Sequence, residues 1–340
     1  MKRTLMPMVA ILLGMGLVGC GKERTQAPGG PARVAGPQAP TAPRMPEITG
    51  PELDAVRRPK TSLKLALVVK TRNNPFFTPM IRAAEETARR LGCSLDVEAP
   101  PQESDKEQQF ALVQTVTAKG IQALLIAPAD SKGIVPALKD AQSKGVLIVN
   151  VDNRVDPDTA RSAGLDLGGY VGADNEAGGE LAGQGMLEAL NKQGKVAVLE
   201  GLRGVDNAEA RKRGFEKAVQ GKLEIVAEEE ASWDTQKAYA KCQSILAAHP
   251  DIRGIFCAND KMALGAMKAI KEVGKSGKIA VIGYDNIPDV KPYLANGELY
   301  GTIEQHPDLM GKYGVEMAVG VLTGAIPRGR QYLVPLEFIR

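Results

Sequence analysis

LKLALVVKTRNNPFF, residues 63–77, decides how this chain is read. Its first seven residues, Leu63–Val69, are a short apolar run of strand length. The run breaks at Thr71-Arg72-Asn73-Asn74, and helical periodicity then runs from Pro75 to Leu91. The same strand-then-helix beat continues downstream. Ser94–Val97, Ala123–Ala127 and Val146–Val151 read as strands, with helices at Lys106–Lys119 and Gly133–Ser143 between them. It resumes with strands at Lys195–Glu200, Leu223–Ala227, Gly254–Ala258 and Lys278–Tyr284. Helices near Glu176–Leu190, Ala208–Gln220, Thr235–Ala248 and Lys261–Glu272 separate these. Repeated βα units of this kind predict an α/β fold of two doubly wound parallel-sheet lobes. At 340 residues the chain is long enough for two cores.

Ligands of open parallel sheets bind beyond the carboxyl ends of the strands. The residues at those ends are therefore the candidates. They are Asn74, Phe76 and Phe77 after the first strand, Asp152 and Asn153 after Val151, and Arg211 beyond the Gly201–Gly204 loop. Trp233, Asn259 and Asp285 follow later strands. Flat rings beside carboxylate, amide and guanidinium groups suit a sugar, whose C–H faces pack on aromatic planes and whose hydroxyls both donate and accept. Taken singly, each has a plainer role. Asn259-Asp260 and Asp285-Asn286 also suit helix N-caps, Phe76, Phe77 and Trp233 suit a core, and Arg211 suits a solvated helix face. Their shared position at one edge of the sheets favours a site.

The N-terminus is of another kind. Residues 1–20, MKRTLMPMVAILLGMGLVGC, join a basic start to an apolar run too short for a good membrane span, which reads as a secretory signal. Residues 21–61 carry eight prolines and few large apolar side chains, and are expected to form an extended tether. The composition is otherwise that of a soluble globular protein, 44% hydrophobic and 24% charged. Lys+Arg 43 against Asp+Glu 40 leaves no electrostatic reason to expect nucleic acid as a partner. Besides Cys20, the chain has Cys93, Cys242 and Cys257, which do not form a disulfide framework, although a Cys242–Cys257 pair stays open. Two histidines, each followed by proline, and scattered cysteines suggest neither a metal site nor a cofactor. No phosphate loop, Gly-x-Ser-x-Gly elbow or zinc-protease motif is present, which argues against an enzyme.

Several segments together resemble the type I periplasmic binding proteins of ABC transporters, of the ribose- and galactose-binding kind. They are Asn73-Asn74-Pro75-Phe76-Phe77, Val151-Asp152-Asn153, Ala208–Phe215, Ala258–Ala266, Gly283-Tyr284-Asp285 and Thr302-Ile303-Glu304-Gln305. The resemblance covers about residues 62–340. It implies contacts to a monosaccharide from Asn74, Phe76, Phe77, Asp152, Asn153, Arg211, Trp233, Asn259, Asp285 and Gln305, with Asn207 a weaker candidate. It also implies a lobe of residues 62–173 and 306–332 and a second of 174–305 and 333–340, joined by a three-strand hinge. The chain departs from ribose binders at Ala127 and Asn153, and lacks the calcium loop of galactose binders at Asn191–Gly194. Leu17-Val18-Gly19-Cys20 resembles a lipoprotein cleavage box, implying a lipid anchor on Cys20 and an exported, membrane-tethered monomer. The implied role is delivery of a sugar to an ABC permease. The alternative is a receptor that reports the sugar to a chemotaxis or sensor-kinase partner. A sugar-responsive repressor would share the fold but not the exported N-terminus.

Overall fold

The computed structural model describes residues 45–340; the signal segment and Cys20 lie outside the described residues. A short helix, α1 (Gly50–Asp54), precedes β1 (Lys64–Val68), α2 (Phe77–Arg90), β2 (Ser94–Glu98), α3 (Lys106–Ala118), β3 (Ala123–Ile126), α4 (Val135–Ser143), β4 (Leu147–Val151), α5 (Pro157–Ser162) and β5 (Gly169–Gly172). The beat repeats with α6 (Asn175–Ala189), β6 (Lys195–Glu200), α7 (Asp206–Val219), β7 (Glu224–Glu230), α8 (Thr235–Ala248), β8 (Gly254–Cys257), α9 (Asp260–Glu272) and β9 (Ala280–Ile282). The chain ends with α10 (Lys291–Ala295), β10 (Thr302–Glu304), α11 (Pro307–Thr323), β11 (Arg330–Leu333) and β12 (Glu337–Ile339).

The first sheet has the order β11-β5-β4-β3-β1-β2 with every pair parallel. Its central strand shows why the apolar run is continuous rather than alternating. Leu65, Leu67 and Val69 pack into one core and Ala66 and Val68 into another, so both faces are covered by helices. The second sheet, β7-β6-β8-β9, is also parallel. An antiparallel pair, β10-β12, joins its edge through a bridge between Ile282 and Gly301. The chain therefore passes between sheets after β5, after β10 and after β11.

The expected tether ends earlier than residue 61. Pro46 and Ile48 bond the backbone of Gln331 on β11 (Ile48 N–H to Gln331 O 2.8 Å, Gln331 N–H to Pro46 O 2.9 Å). Ile48, Leu53 and Val56 are buried against the first core. The Glu52 carboxylate accepts from the Thr49 N–H and hydroxyl at 2.8 and 2.7 Å, fixing the start of α1. Three apolar side chains and a Thr-x-x-Glu cap are enough to order this strap despite its proline content. Cys93, Cys242 and Cys257 are buried free thiols, so no Cys242–Cys257 bridge forms.

Candidate functional site

A small polar cavity lies between the carboxyl ends of the two sheets. Nine of the ten residues expected from sequence line it: Asn74, Phe76, Phe77, Asp152, Arg211, Trp233, Asn259, Asp285 and Gln305. Lys70, Glu103 and Asn207 complete the wall.

From the first sheet, the turn after β1 is shaped by Asn74. Its Oδ1 accepts the Phe76 N–H at 3.1 Å, and its Nδ2 donates to Glu103 Oε1 at 2.9 Å. This Asx turn delivers Phe76 and Phe77 as an edge-to-face pair, centroids 5.0 Å apart at 77°. At the end of β4, Asp152 takes the left-handed region with φ 58°. Its carbonyl accepts from the Tyr170 hydroxyl at 2.8 Å, and its Oδ2 lies 3.1 Å from Lys70 Nζ. Lys70 and Asp152 are both buried.

From the second sheet, Trp233 follows β7 at φ 64° and its ring lies over Gly201. A Cβ at Gly201 would stand 2.1 Å from that ring, so only glycine admits the tryptophan. Arg211 sits on α7, which presses against α6. A Cβ at Gly179 would fall 2.1 Å from Arg211 O, and one at Gly214 2.0 Å from Glu176 O. Its guanidinium donates from Nε to Asn175 Oδ1 and from Nη1 to Ala258 O, each at 2.8 Å, and stacks 3.7 Å above the Tyr284 ring. It is also 3.5 Å from Asp285 Oδ1. That carboxylate accepts from Gln305 Nε2 at 2.7 Å. Asn259 serves two purposes: its Oδ1 caps α9 by accepting the Met262 N–H at 2.9 Å, and its remaining amide group faces the cavity.

Burial pushes the Asp285 carboxyl well above the ordinary range, opposed by the Arg211 charge. It raises Glu103 likewise, opposed by Lys70. Two cavity acceptors are buried with no hydrogen-bond partner, Asn207 Oδ1 and Gln305 Oε1, while Asp152 Oδ2 is held by the Lys70 ammonium. Such groups call for a donor-bearing occupant. The arrangement gathers acceptors, charged donors and aromatic planes at one place between the sheets.

Asn153 does not line the cavity. The left-handed turn at Asp152 re-aims the next side chain, and Asn153 Nδ2 donates to Pro128 O at 2.8 Å and Ser131 Oγ at 3.1 Å. Sequence reasoning passed over Lys70 and Glu103. Lys70 directly follows the first apolar run and could have been found by the strand-end rule. Glu103 lies in an irregular stretch beyond β2, where no sequence pattern pointed inward.

Two facing parallel α/β sheets with a polar cavity between their carboxyl ends define a cleft-type solute binder. Residues 65–326 match the periplasmic binding protein domain family, and the chain belongs to that family. The D-allose-binding periplasmic protein of Escherichia coli is 36% identical over 259 residues, 75% of this chain and 83% of that one. The D-ribose/D-allose-binding protein of Pseudomonas aeruginosa is 33% identical over 267 residues, 78% of this chain and 83% of that one. Among solved structures, a periplasmic solute-binding protein from Actinobacillus succinogenes with bound D-allose is 38% identical, with a TM-score of 0.76. The match covers 82% of this chain and 97% of that one.

Proposed function

We propose that this protein is an exported sugar-binding component of an ABC importer, and that its cavity takes a single aldose of the D-allose or D-ribose kind. The carrying observation is the pair of partnerless buried acceptors, Asn207 Oδ1 and Gln305 Oε1, placed among the Phe76, Phe77 and Trp233 rings. Sugar hydroxyls donate to such atoms while the C–H faces pack on the rings. Arg211, Lys70 and the free amide of Asn259 donate to ring and hydroxyl oxygens. Asp285 and Glu103 accept. The relatives with D-allose in their names support an aldose of this kind.

The sugar touches both sheets only when they face each other closely, so it shifts the protein toward the closed form. The three passages between sheets act as the hinge. A permease then reads the closed surface. Cys20 carries the lipid that holds the protein at the membrane, with residues 21–44 as the tether, and the protein works as a monomer.

Isothermal titration against D-allose, D-ribose, D-arabinose, D-fucose, D-galactose and myo-inositol tests the reading. Saturable binding of one or two of these, with D-allose the tightest, is the expected result. Heat from none of them, or tighter binding of an amino acid or nucleotide, refutes it.

A further inference from the structure

We infer that Asn153 and Ser131 form a latch that caps helix α7 from across the cleft, and that this latch, without touching the sugar, helps set the affinity of the site. The observation begins with a defect in α7. Its own N-cap residue is Val205, which has no side-chain oxygen, so the Asp206 and Asn207 N–H groups receive no cap from their own segment. The first sheet supplies what is missing. The Asp206 N–H donates to Ser131 Oγ and the Asn207 N–H donates to Asn153 Oδ1, both at 3.1 Å.

The donor side and the acceptor side belong to different sheets. Ser131 follows β3 and Asn153 follows β4, whereas α7 packs on the second sheet. The acceptor side is built in advance. The Asn153 amide is locked by Pro128 O and Ser131 Oγ, so its Oδ1 is left facing α7. Asn150 braces the same turn, donating to Asn153 O at 2.7 Å and accepting the Val155 N–H at 2.9 Å. Asn153 is wholly buried at this contact.

When the halves separate, those N–H groups return to water. When they close, the cap forms, and α7 brings Arg211 and Asn207 to the cavity with it. Asn153 and Ser131 are thus positioning residues, whose bonds exist only in the closed form and therefore favour it. The inference rests on the sugar-binding reading for its affinity readout, but not for its conformational one.

A pair of variants at one position isolates the latch. Proline is tolerated at the first position of a helix, and Val205 already has the extended backbone (φ −93°, ψ 133°) that a following proline requires. Asp206→Pro therefore removes the N–H that Ser131 accepts and keeps the helix, and Asp206→Ala controls for the lost carboxylate. Titration with D-allose is expected to give Asp206→Pro about fivefold weaker binding than Asp206→Ala, the loss of one hydrogen bond. Asn153→Ala should weaken binding at least as much. The loss should fall on the dissociation rate, and the ligand-free melting temperatures of the two Asp206 variants should agree. A spin-label pair on the exposed Lys144 and Lys222 positions reads the closed fraction without sugar, and the fraction should drop in Asp206→Pro relative to Asp206→Ala. Equal affinities and equal closed fractions in the two Asp206 variants overturn the latch. If the parent protein binds no sugar of the panel, the sugar reading fails, while the closed fractions still decide the latch.

Discussion

Replacing Arg211 by alanine tests the site most sharply. The guanidinium has five N–H donors. Nε donates to Asn175 and Nη1 to Ala258, and Asp285 stands 3.5 Å from Nη1, so the Nη2 end is what remains for a ligand. Two charge-assisted bonds to sugar oxygens, at about 1.5 kcal/mol each at the low end, put the loss near 3 kcal/mol, or about 150-fold in affinity. Part of the loss comes from Asp285. Without Arg211, its buried carboxyl loses the one charge that opposes burial and rises further, so residual binding should become more sensitive to pH. Lysine should not rescue, because a single ammonium cannot reach Asn175 Oδ1 and Ala258 O while also stacking on Tyr284. The assay is convenient, since Trp233 is the chain's single tryptophan, lines the cavity, and lies 5.7 Å from the guanidinium. A titration followed by tryptophan emission, checked by calorimetry, gives the affinities. An Arg211→Ala protein within threefold of the parent would refute the assignment.

Gly201→Ala should displace the Trp233 ring, shift its emission in the ligand-free protein and weaken sugar binding at least tenfold, with the far-ultraviolet dichroism unchanged; an unshifted emission would show that the ring does not need that gap. Glu316 on α11 is buried beside Arg90, with Oε2 unpartnered, and burial pushes its carboxyl up to about 7, opposed by Lys312 and Arg90. A raised carboxyl contributes stability that is complete below its unfolded value near 4.5 and is lost as the pH climbs through about 7. Glu316→Gln should therefore raise the melting temperature at pH 8 by the equivalent of about 2 kcal/mol and change little at pH 4.5; equal effects at both pH values would refute this. Cys20→Ser should move the protein from the membrane fraction to the soluble exported fraction, and retention on membranes would count against the lipid anchor.

Much of this fold was readable because burial on both faces forces continuous apolar runs, as in Leu63–Val69 and Ala123–Ala127. The three- and four-residue strands β5, β10, β11 and β12 were not readable. Gly169–Gly172 has two glycines in four residues, and the others pair only because distant segments bring partners to them. The strap at residues 46–56 was obscured by composition: eight prolines outweighed Ile48, Leu53 and Val56, although the Thr49–Glu52 cap was present in the letters. In the cavity, strand-end position found residues on extended backbone, such as Asn259, and residues on left-handed backbone, such as Asp152, Trp233 and Asp285. It failed at Asn153, because the left-handed turn at Asp152 sends two consecutive side chains to different places.

The buried acceptors of the cavity and the latch pull closure in opposite directions. Closing without a ligand strands Asn207 Oδ1 and Gln305 Oε1 away from water, at about 1–3 kcal/mol for each unsatisfied group. Burial also raises the carboxyls of Asp285 and Glu103. The α7 cap formed from Ser131 and Asn153 offsets part of that cost but, as two neutral hydrogen bonds, not all of it. The balance tips only when an occupant brings hydroxyl donors to the stranded acceptors. A molecule of the same size without those hydroxyls fills the space and leaves the acceptors unsatisfied, so it gains the ring contacts but not the closure. Selectivity for a polyhydroxylated ring thus follows from the cost of closing empty, and the latch sets how small the remaining gap is.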